Sequence, residues 1–258
     1  MTTEWDARTY ERVSAPQVAW GREVLDRIVL RGDETVLDAG CGTGRVTRLL
    51  AERVPEGRVV AIDASAAMVE EATERLADLA PRVSVRRGDL LELEVDEAVD
   101  LIVSTATFHW ILDHDALFRR LFAALAPGGL LVAQCGGAGN IAGTLEAAAQ
   151  VAAAGPYAAA LDGLPEGWLF AEPDATVARL AAAGFEDARA WLSEAAARLD
   201  DEGAEFLATV VLRHHLERLP PELRAPYAQE VASRLREPDG RVVLDYVRLN
   251  LEGRRPAL

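Results

Sequence analysis

Lysine is absent from this chain, because all 27 of its basic residues are arginine. That absence excludes Schiff-base chemistry, pyridoxal phosphate attachment and the phosphate-binding lysine of a Walker A loop. Cysteine is scarce as well. Cys41 and Cys135 stand far apart beside glycines, which argues against a disulfide framework and for a reducing compartment, here read as the cytoplasm. No run of about eighteen apolar residues is present to span a bilayer. The opening Met1-Thr2-Thr3-Glu4-Trp5-Asp6 lacks the basic start and apolar stretch of a secretory signal. Positive charge is outnumbered: 42 acidic residues leave a net charge of -15. Such a surface repels polyanions, so neither nucleic acid nor membrane is expected as a partner.

What is present is a chain of 258 residues, half of them hydrophobic, enough for one large α/β domain with insertions. From residue 35 to 134 short β-branched runs alternate with longer amphipathic segments, the pattern of parallel strands joined by crossover helices. It predicts strands at 35–39, 58–63, 83–87, 99–105 and 130–135. Helices are expected at 45–53, at 66–79 behind a Ser65 cap, and from near Asp113 to the stop at Pro127-Gly128-Gly129. The flanks differ. Residues 1–30 read as a leading helical segment marked by Trp5, Tyr10, Val13 and Trp20. After residue 137 come an alanine-rich helical stretch (140–163), a helix at 174–183, a strand at 186–192, two helices within 202–237 broken at Pro220-Pro221, and a final strand at 242–251. The expected division is a lid segment (1–30), a cofactor-binding core (31–137), and the remainder of the sheet (138–258) with cap insertions at about 138–172 and 202–237.

The segment Val36-Leu37-Asp38-Ala39-Gly40-Cys41-Gly42-Thr43-Gly44 joins a hydrophobic strand to a glycine turn that opens a helix. Glycines there let a cofactor approach the backbone, and free N–H groups at the helix start favour an anion. The dinucleotide fingerprint wants a further glycine where this chain has Arg45, so the loop departs from the NAD pattern. The second strand ends in Asp63, suited to accept hydrogen bonds from ribose hydroxyls; the third ends in Gly88-Asp89-Leu90, with an acid suited to an adenine amino group. Each acid also has a plain structural reading, Asp63 as a helix cap and Asp89 as a turn.

Taken together, VLDAGCGTG, AIDAS, RGDL, and VDLIVSTATFHWI followed by LAPGGLLVAQ resemble class I S-adenosylmethionine-dependent methyltransferases. Phe108-His109-Trp110, DHDALFRRLFAALAPGG and the terminal GRVVLDYVRLN resemble the trans-aconitate methyltransferase type within them. The resemblance implies a Rossmann-like, doubly wound, mostly parallel seven-stranded sheet with an antiparallel last strand and a helical cap. It implies S-adenosyl-L-methionine as cofactor, with Asp38, Gly40, Cys41 and Gly42 shaping the methionine end and Asp63 holding the ribose. Ala64 and Met68 would border the adenosyl group, Asp89 and Leu90 would meet the adenine, and Thr105 would face the sulfonium.

His109, just past the fourth strand, is the candidate catalytic residue, assigned to positioning first. A general base suits a phenol or amine, whereas a carboxylate is already ionised at neutral pH. Phe108 and Trp110 are substrate-binding candidates. Asp113-His114-Asp115 reads as a helix cap and not a metal cluster, and His214-His215 as a solvated helix face, with contact of one of the two with substrate as the alternative; no metal is expected. The expected acceptor is a small carboxylic acid gripped by arginine, with Arg213 as the candidate. Three other readings compete with it: base-assisted O- or N-methylation of a phenol or amine, a nucleotide-dependent oxidoreductase on a similar sheet, and a non-catalytic cofactor-binding scaffold.

Overall fold

The structure, a computed structural model, describes residues 15–164, 167–200 and 203–257. Trp5, Tyr10 and Val13, three markers of the expected lid, lie outside them.

The chain enters through helix α1 (Ala15–Asp26). It then alternates β1 (Thr35–Ala39), α2 (Arg45–Arg53), β2 (Arg58–Asp63), α3 (Ala66–Arg75), β3 (Val83–Arg87), β4 (Val99–Thr105), α4 (His114–Ala124) and β5 (Leu125–Gly136). Apolar runs bounded by glycine or acid form the strands, and β1 and β4 are buried along nearly their whole length, as interior parallel strands must be. Helix α4 shows how local chemistry sets an element. Asp113 caps it by accepting the Ala116 N–H at 2.8 Å, a bond typically worth about 1 kcal/mol. Its Leu117, Phe118 and Leu121 are fully buried, each contributing roughly 1.5–3 kcal/mol.

The remainder supplies α5 (Ala142–Ala152), α6 (Ala158–Leu161), α7 (Pro173–Ala183), β6 (Glu186–Glu194), β7 (Ala197–Leu199), α8 (Gly203–Phe206), α9 (Arg213–Arg218), α10 (Pro221–Arg234), β8 (Val242–Leu244) and β9 (Val247–Arg254). Seven strands form one sheet in the order β3-β2-β1-β4-β5-β9-β6, with β9 antiparallel to both neighbours. The fold is thus the doubly wound, mostly parallel α/β sheet. Its connections reverse direction between β1 and β4, and the carboxyl ends of these strands form the crevice where such sheets take ligands.

Three buried clusters hold the molecule together. One packs α4 and α7 on one sheet face, with Leu117, Phe118, Leu121 and Leu180. A second packs α1, α2 and α3 on the other, with Val24, Leu25, Leu50 and Ala72. The third gathers Trp20 of α1 with Phe206, Tyr227, Val242 and Tyr246. No helix among the described residues is long and apolar enough to cross a membrane.

Several boundaries differ from the sequence expectation. Strand β5 starts at Leu125, which pairs with Val99 across an irregularity in register, so the helix stops before Pro127. The expected strand at 242–251 is two strands. Its first part pairs with β7 in a separate two-stranded sheet, and its second crosses into the main sheet. The break falls at Asp245, whose carboxylate accepts the N–H groups of Gly143 and Thr144 at 2.7 and 3.2 Å at the start of α5. The 202–237 segment breaks at Pro220 as expected, and also at a wide π-helical turn over Leu207–Val211. The 140–163 stretch is interrupted at Gly155.

Candidate active site

The glycine loop after β1 is pinned by its backbone. The N–H groups of Gly40 and Cys41 both donate to the Ile62 carbonyl, at 2.8 and 3.0 Å. Gly40 has φ +86°, and a Cβ there would fall 2.1 Å from Thr107 Oγ1, so the β4 loop can lie against it only because it is glycine. Gly42, at φ +53°, has nothing within 4 Å of such a Cβ: it borders open space. Its N–H donates to Asp63 Oδ2 at 2.9 Å, while Asp63 Oδ1 accepts the Ser65 N–H at 2.9 Å. One carboxylate thus ties the two strand-end loops together. Asp63 makes these two bonds while also lining the cavity that Gly42 borders.

The open space is a cavity of about 550 Å³ at the carboxyl ends of the strands, within the usual range for small-molecule sites. Gly40, Gly42, Asp63, Ala64, Met68, Asp89, Leu90 and Thr105 line it. Asp89 also accepts the Leu91 N–H at 2.9 Å, so it caps a short turn while bordering the cavity. Ala106, on the same wall, holds a strained φ of +57°. Its N–H donates to the Gln134 carbonyl at 2.7 Å, which fixes it there.

Two expected cofactor residues stand behind this wall. Asp38 is buried and accepts a 2.7 Å hydrogen bond from Thr47 Oγ1. Burial pushes its carboxyl up to about 7 against the opposing Thr47 bond, with a further push from Asp63. Cys41 is also buried, and burial raises its thiol well above the ordinary value. Neither lines the cavity; both act on its shape through the loop.

At the other end the wall is made by Trp20, Thr107, His109, Trp110, His214, Tyr246 and Arg248. His109 Nδ1 accepts the Gly136 N–H at 3.3 Å, which places the proton of the neutral ring on Nε2. Burial, then the charges of Arg248 and His114, hold its pKa well below 6.5. It is neutral at physiological pH, and its one lone-pair nitrogen is occupied.

Three expectations about this end are corrected. Phe108 does not face a substrate: it is fully buried in the sheet-face core, edge-on to Phe118 at 6.1 Å. Arg213 does not line the cavity, and its guanidinium pairs with Glu217 at 2.8 Å along the same helix. His214-His215 is not a solvated face: His214 sits against Trp110 and Trp168 at 5.9 and 5.7 Å, and His215 packs on Tyr227 at 5.7 Å. Sequence reasoning named no cation that reaches the cavity. Arg248 does so from β9, buried to 2% exposure and lying over the rings of Trp20 and Tyr246 at 4.6 and 5.9 Å. Nothing local marked it out, since Arg248 alternates along β9 with the equally polar Asn250, Glu252 and Arg254. Among the described residues no group of three His, Cys, Asp or Glu is placed to hold a metal ion.

The cavity offers backbone approach at Gly42, carboxylates at Asp63 and Asp89, and an apolar floor of Ile62, Met68 and Leu90. That donor set fits an adenosyl group with its ribose and base. Arg45, where a dinucleotide loop would have glycine, leaves the NAD pattern unmet.

Comparison with known proteins agrees. A family model described as "Methyltransferase domain" matches residues 36–129. The trans-aconitate 2-methyltransferase of Methylobacterium radiotolerans is 35% identical over 230 residues, which cover 87% of this chain and 86% of that relative. That of Variovorax paradoxus is 32% identical, covering 98% and 99%. Among solved structures, YcgJ of Bacillus subtilis superposes with a TM-score of 0.64 at 15% identity, covering 92% of this chain and 98% of that one. The S-adenosyl-L-methionine complex of Haemonchus contortus phosphoethanolamine N-methyltransferase 2 superposes at 0.60 and 18%, covering 92% and 52%; both show the shared fold. The glycine loop, the sheet order and these relatives together make the chain a member of the class I S-adenosylmethionine-dependent methyltransferases, of the trans-aconitate methyltransferase type.

Proposed function

We propose that the enzyme methylates a carboxylate oxygen of a small organic acid. The carrying observation is Arg248: a buried guanidinium facing the cavity of a protein with net charge -15. Its planar fork suits a carboxylate through two parallel hydrogen bonds. Relatives named for trans-aconitate, itself a carboxylic acid, support the same acceptor class.

S-adenosylmethionine supplies a methyl group on a positively charged sulfur. The residues do the rest. In this reading Gly40 and Gly42 give the methionine end room against the backbone, Asp63 accepts from the ribose, and Leu90 and Met68 cover the base and sugar. Arg248 fixes the acceptor carboxylate, and the Nε2–H of His109 is a neutral donor for the acceptor. Transfer joins an anion to a cation and leaves neutral products, so a cavity walled by apolar and aromatic side chains favours it over water. The cap segments 138–172 and 202–237, which contribute Gly167, Val210 and His214 to the wall, would close the acceptor end. The two free, buried cysteines fit the cytoplasm as the working compartment.

The competing reading, a phenol or amine deprotonated by His109, asks for a basic imidazole with a vacant nitrogen, and His109 has neither. The pH profile separates the two. With saturating cofactor, turnover should stay flat from pH 8 to about 6, since a carboxylate of pKa near 4 stays ionised. A loss of rate on protonation of a single group in that interval would replace the carboxylate with a base-assisted acceptor.

A further inference from the structure

A buried polar network runs beneath the acceptor end of the cavity. Along β9 the alternate side chains Arg248, Asn250 and Glu252 share one face and are buried. Across that face the register sets Gln134 of β5 and Trp191 of β6 on either side of Asn250, and Gly136 and Ser193 on either side of Arg248. Polar groups taken out of water in this way cost stability unless they are bonded. Asn250 is bonded at both ends of its amide. Its Oδ1 accepts from Arg27 Nη1 and Gln134 Nε2, each at 2.9 Å, while its Nδ2 donates to Ser193 Oγ at 3.0 Å and to the Arg248 carbonyl at 3.5 Å. The Gln134 carbonyl, in turn, is the one that fixes Ala106 on the cavity wall.

Arg27 reaches this network from outside the sheet. It stands just past α1, seven residues after Trp20, and its guanidinium lies over the Trp191 ring at 5.1 Å. Trp20 lies over Arg248 at 4.6 Å and meets Tyr246 edge-on at 4.9 Å. One helical segment therefore covers Arg248 with Trp20 and grips Asn250 with Arg27. Arg27 Nε and Nη2 are buried with no hydrogen-bond partner among the described residues, and burial lowers its pKa. A cation satisfied so incompletely is a costly way to fasten a helix that an apolar side chain would hold as well. What the charge adds is direction. A hydrogen-bonded guanidinium fixes Asn250 in one orientation, and through it Ser193 and the Arg248 backbone.

We propose that Arg27 is a positioning residue for methyl transfer: through Asn250 and helix α1 it holds the Arg248 guanidinium in the orientation that receives the acceptor carboxylate. This rests on the reading of Arg248 as the carboxylate partner given above. The test is a double-mutant cycle over the parent, Arg27→Met, Arg248→Met and the pair, at saturating S-adenosylmethionine. The acceptor is whichever of trans-aconitate, fumarate and hexanoate the parent methylates fastest. Arg27→Met should raise the acceptor KM about tenfold with kcat within about threefold, and S-adenosylhomocysteine should bind by calorimetry within about threefold of the parent. Without Arg248 nothing is left to aim, so in the Arg248→Met background the same change should cost less than about twofold in kcat/KM. Arg27→Lys keeps a charged donor and should recover most of the loss. If Arg27→Met does not fold, the smaller polar change Arg27→Gln takes its place in the cycle. A folded variant within about twofold of the parent in KM, an equal loss in both backgrounds, or a parallel loss of S-adenosylhomocysteine affinity overturns the role of Arg27 and leaves the carboxylate reading intact. No transfer to any of the three acids, or an Arg248→Met enzyme as active as the parent, overturns both.

Discussion

Replacing Arg248 by methionine separates binding of the acceptor from stability of the fold. The side chain is buried, lies over Trp20 and Tyr246, and faces the cavity. Removing one partner of a buried ion pair costs about 3–5 kcal/mol, and each 1.4 kcal/mol is a factor of ten. The value of kcat/KM for the acid should therefore fall by about two to three and a half orders of magnitude. The fold should not suffer. Methionine has a similar reach, its thioether packs well on aromatic rings, and exchanging a buried charge for an apolar side chain is often neutral or stabilising. Affinity for S-adenosylhomocysteine should stay within about threefold, since the glycine loop and Asp63 keep all their contacts. Arg248 also helps depress the His109 pKa, so an NMR titration of that imidazole should move upward in the variant. Arg248→Lys restores charge without the fork and should recover only part of the loss. Steady-state transfer with the best acid, read beside a thermal melt, is the assay. A folded Arg248→Met enzyme within about threefold of the parent in kcat/KM would refute the assignment.

Asp63→Ala removes the acceptor of the Gly42 and Ser65 N–H groups and of the proposed ribose bonds. At about 1.5–3 kcal/mol per charged hydrogen bond, S-adenosylhomocysteine should bind about tenfold more weakly or worse by calorimetry, and unchanged affinity in a folded variant would void the ribose role. Stability should fall as pH drops from about 6.5 toward 4. Burial lowers the pKa values of His109, His114 and His215, the last to about 4. Below 6.5 the unfolded chain thus binds protons that the folded chain refuses. Asp38 works in the opposite sense. Raised to about 7, its stabilising contribution is full below about 4 and lost as pH rises through 7, so Asp38→Asn should steepen the acid-side loss. Denaturant melts at pH 7 and pH 5 measure both effects, and greater stability at pH 5 in the parent would contradict the histidine assignment.

The parts of the fold that were legible are those written locally. Strands β1 to β3 follow from β-branched runs stopped by glycine or acid, β4 from its apolar run, and α4 from the Asp113 cap and its apolar stripe. The loop after β1 could be read because its glycines mark a turn, and at Gly40 a Cβ would run into Thr107. The misread parts depend on partners distant in sequence. Val242–Leu244 alternates like the strand that follows it, and only Asp245 reaching back to Gly143 and Thr144 separates the two. Phe108, His109 and Trp110 sit on one short turn, and which of them faces the core is decided by Phe118 on α4. Arg213 and Arg248 are equally plausible carboxylate partners in one dimension. Glu217 occupies the first, while Trp20, more than two hundred residues away, helps hold the second at the cavity.

The linkage of the transferred methyl group is the most direct measurement of the chemistry. Enzyme, methyl-labelled S-adenosylmethionine and the preferred acid are carried through one turnover, and the product is exposed to mild alkali. A methyl ester releases its label as methanol while the acid is recovered unchanged, which is the expected result. Label retained in an alkali-stable product would place the methyl on nitrogen, carbon or a phenolic oxygen and contradict carboxylate methylation.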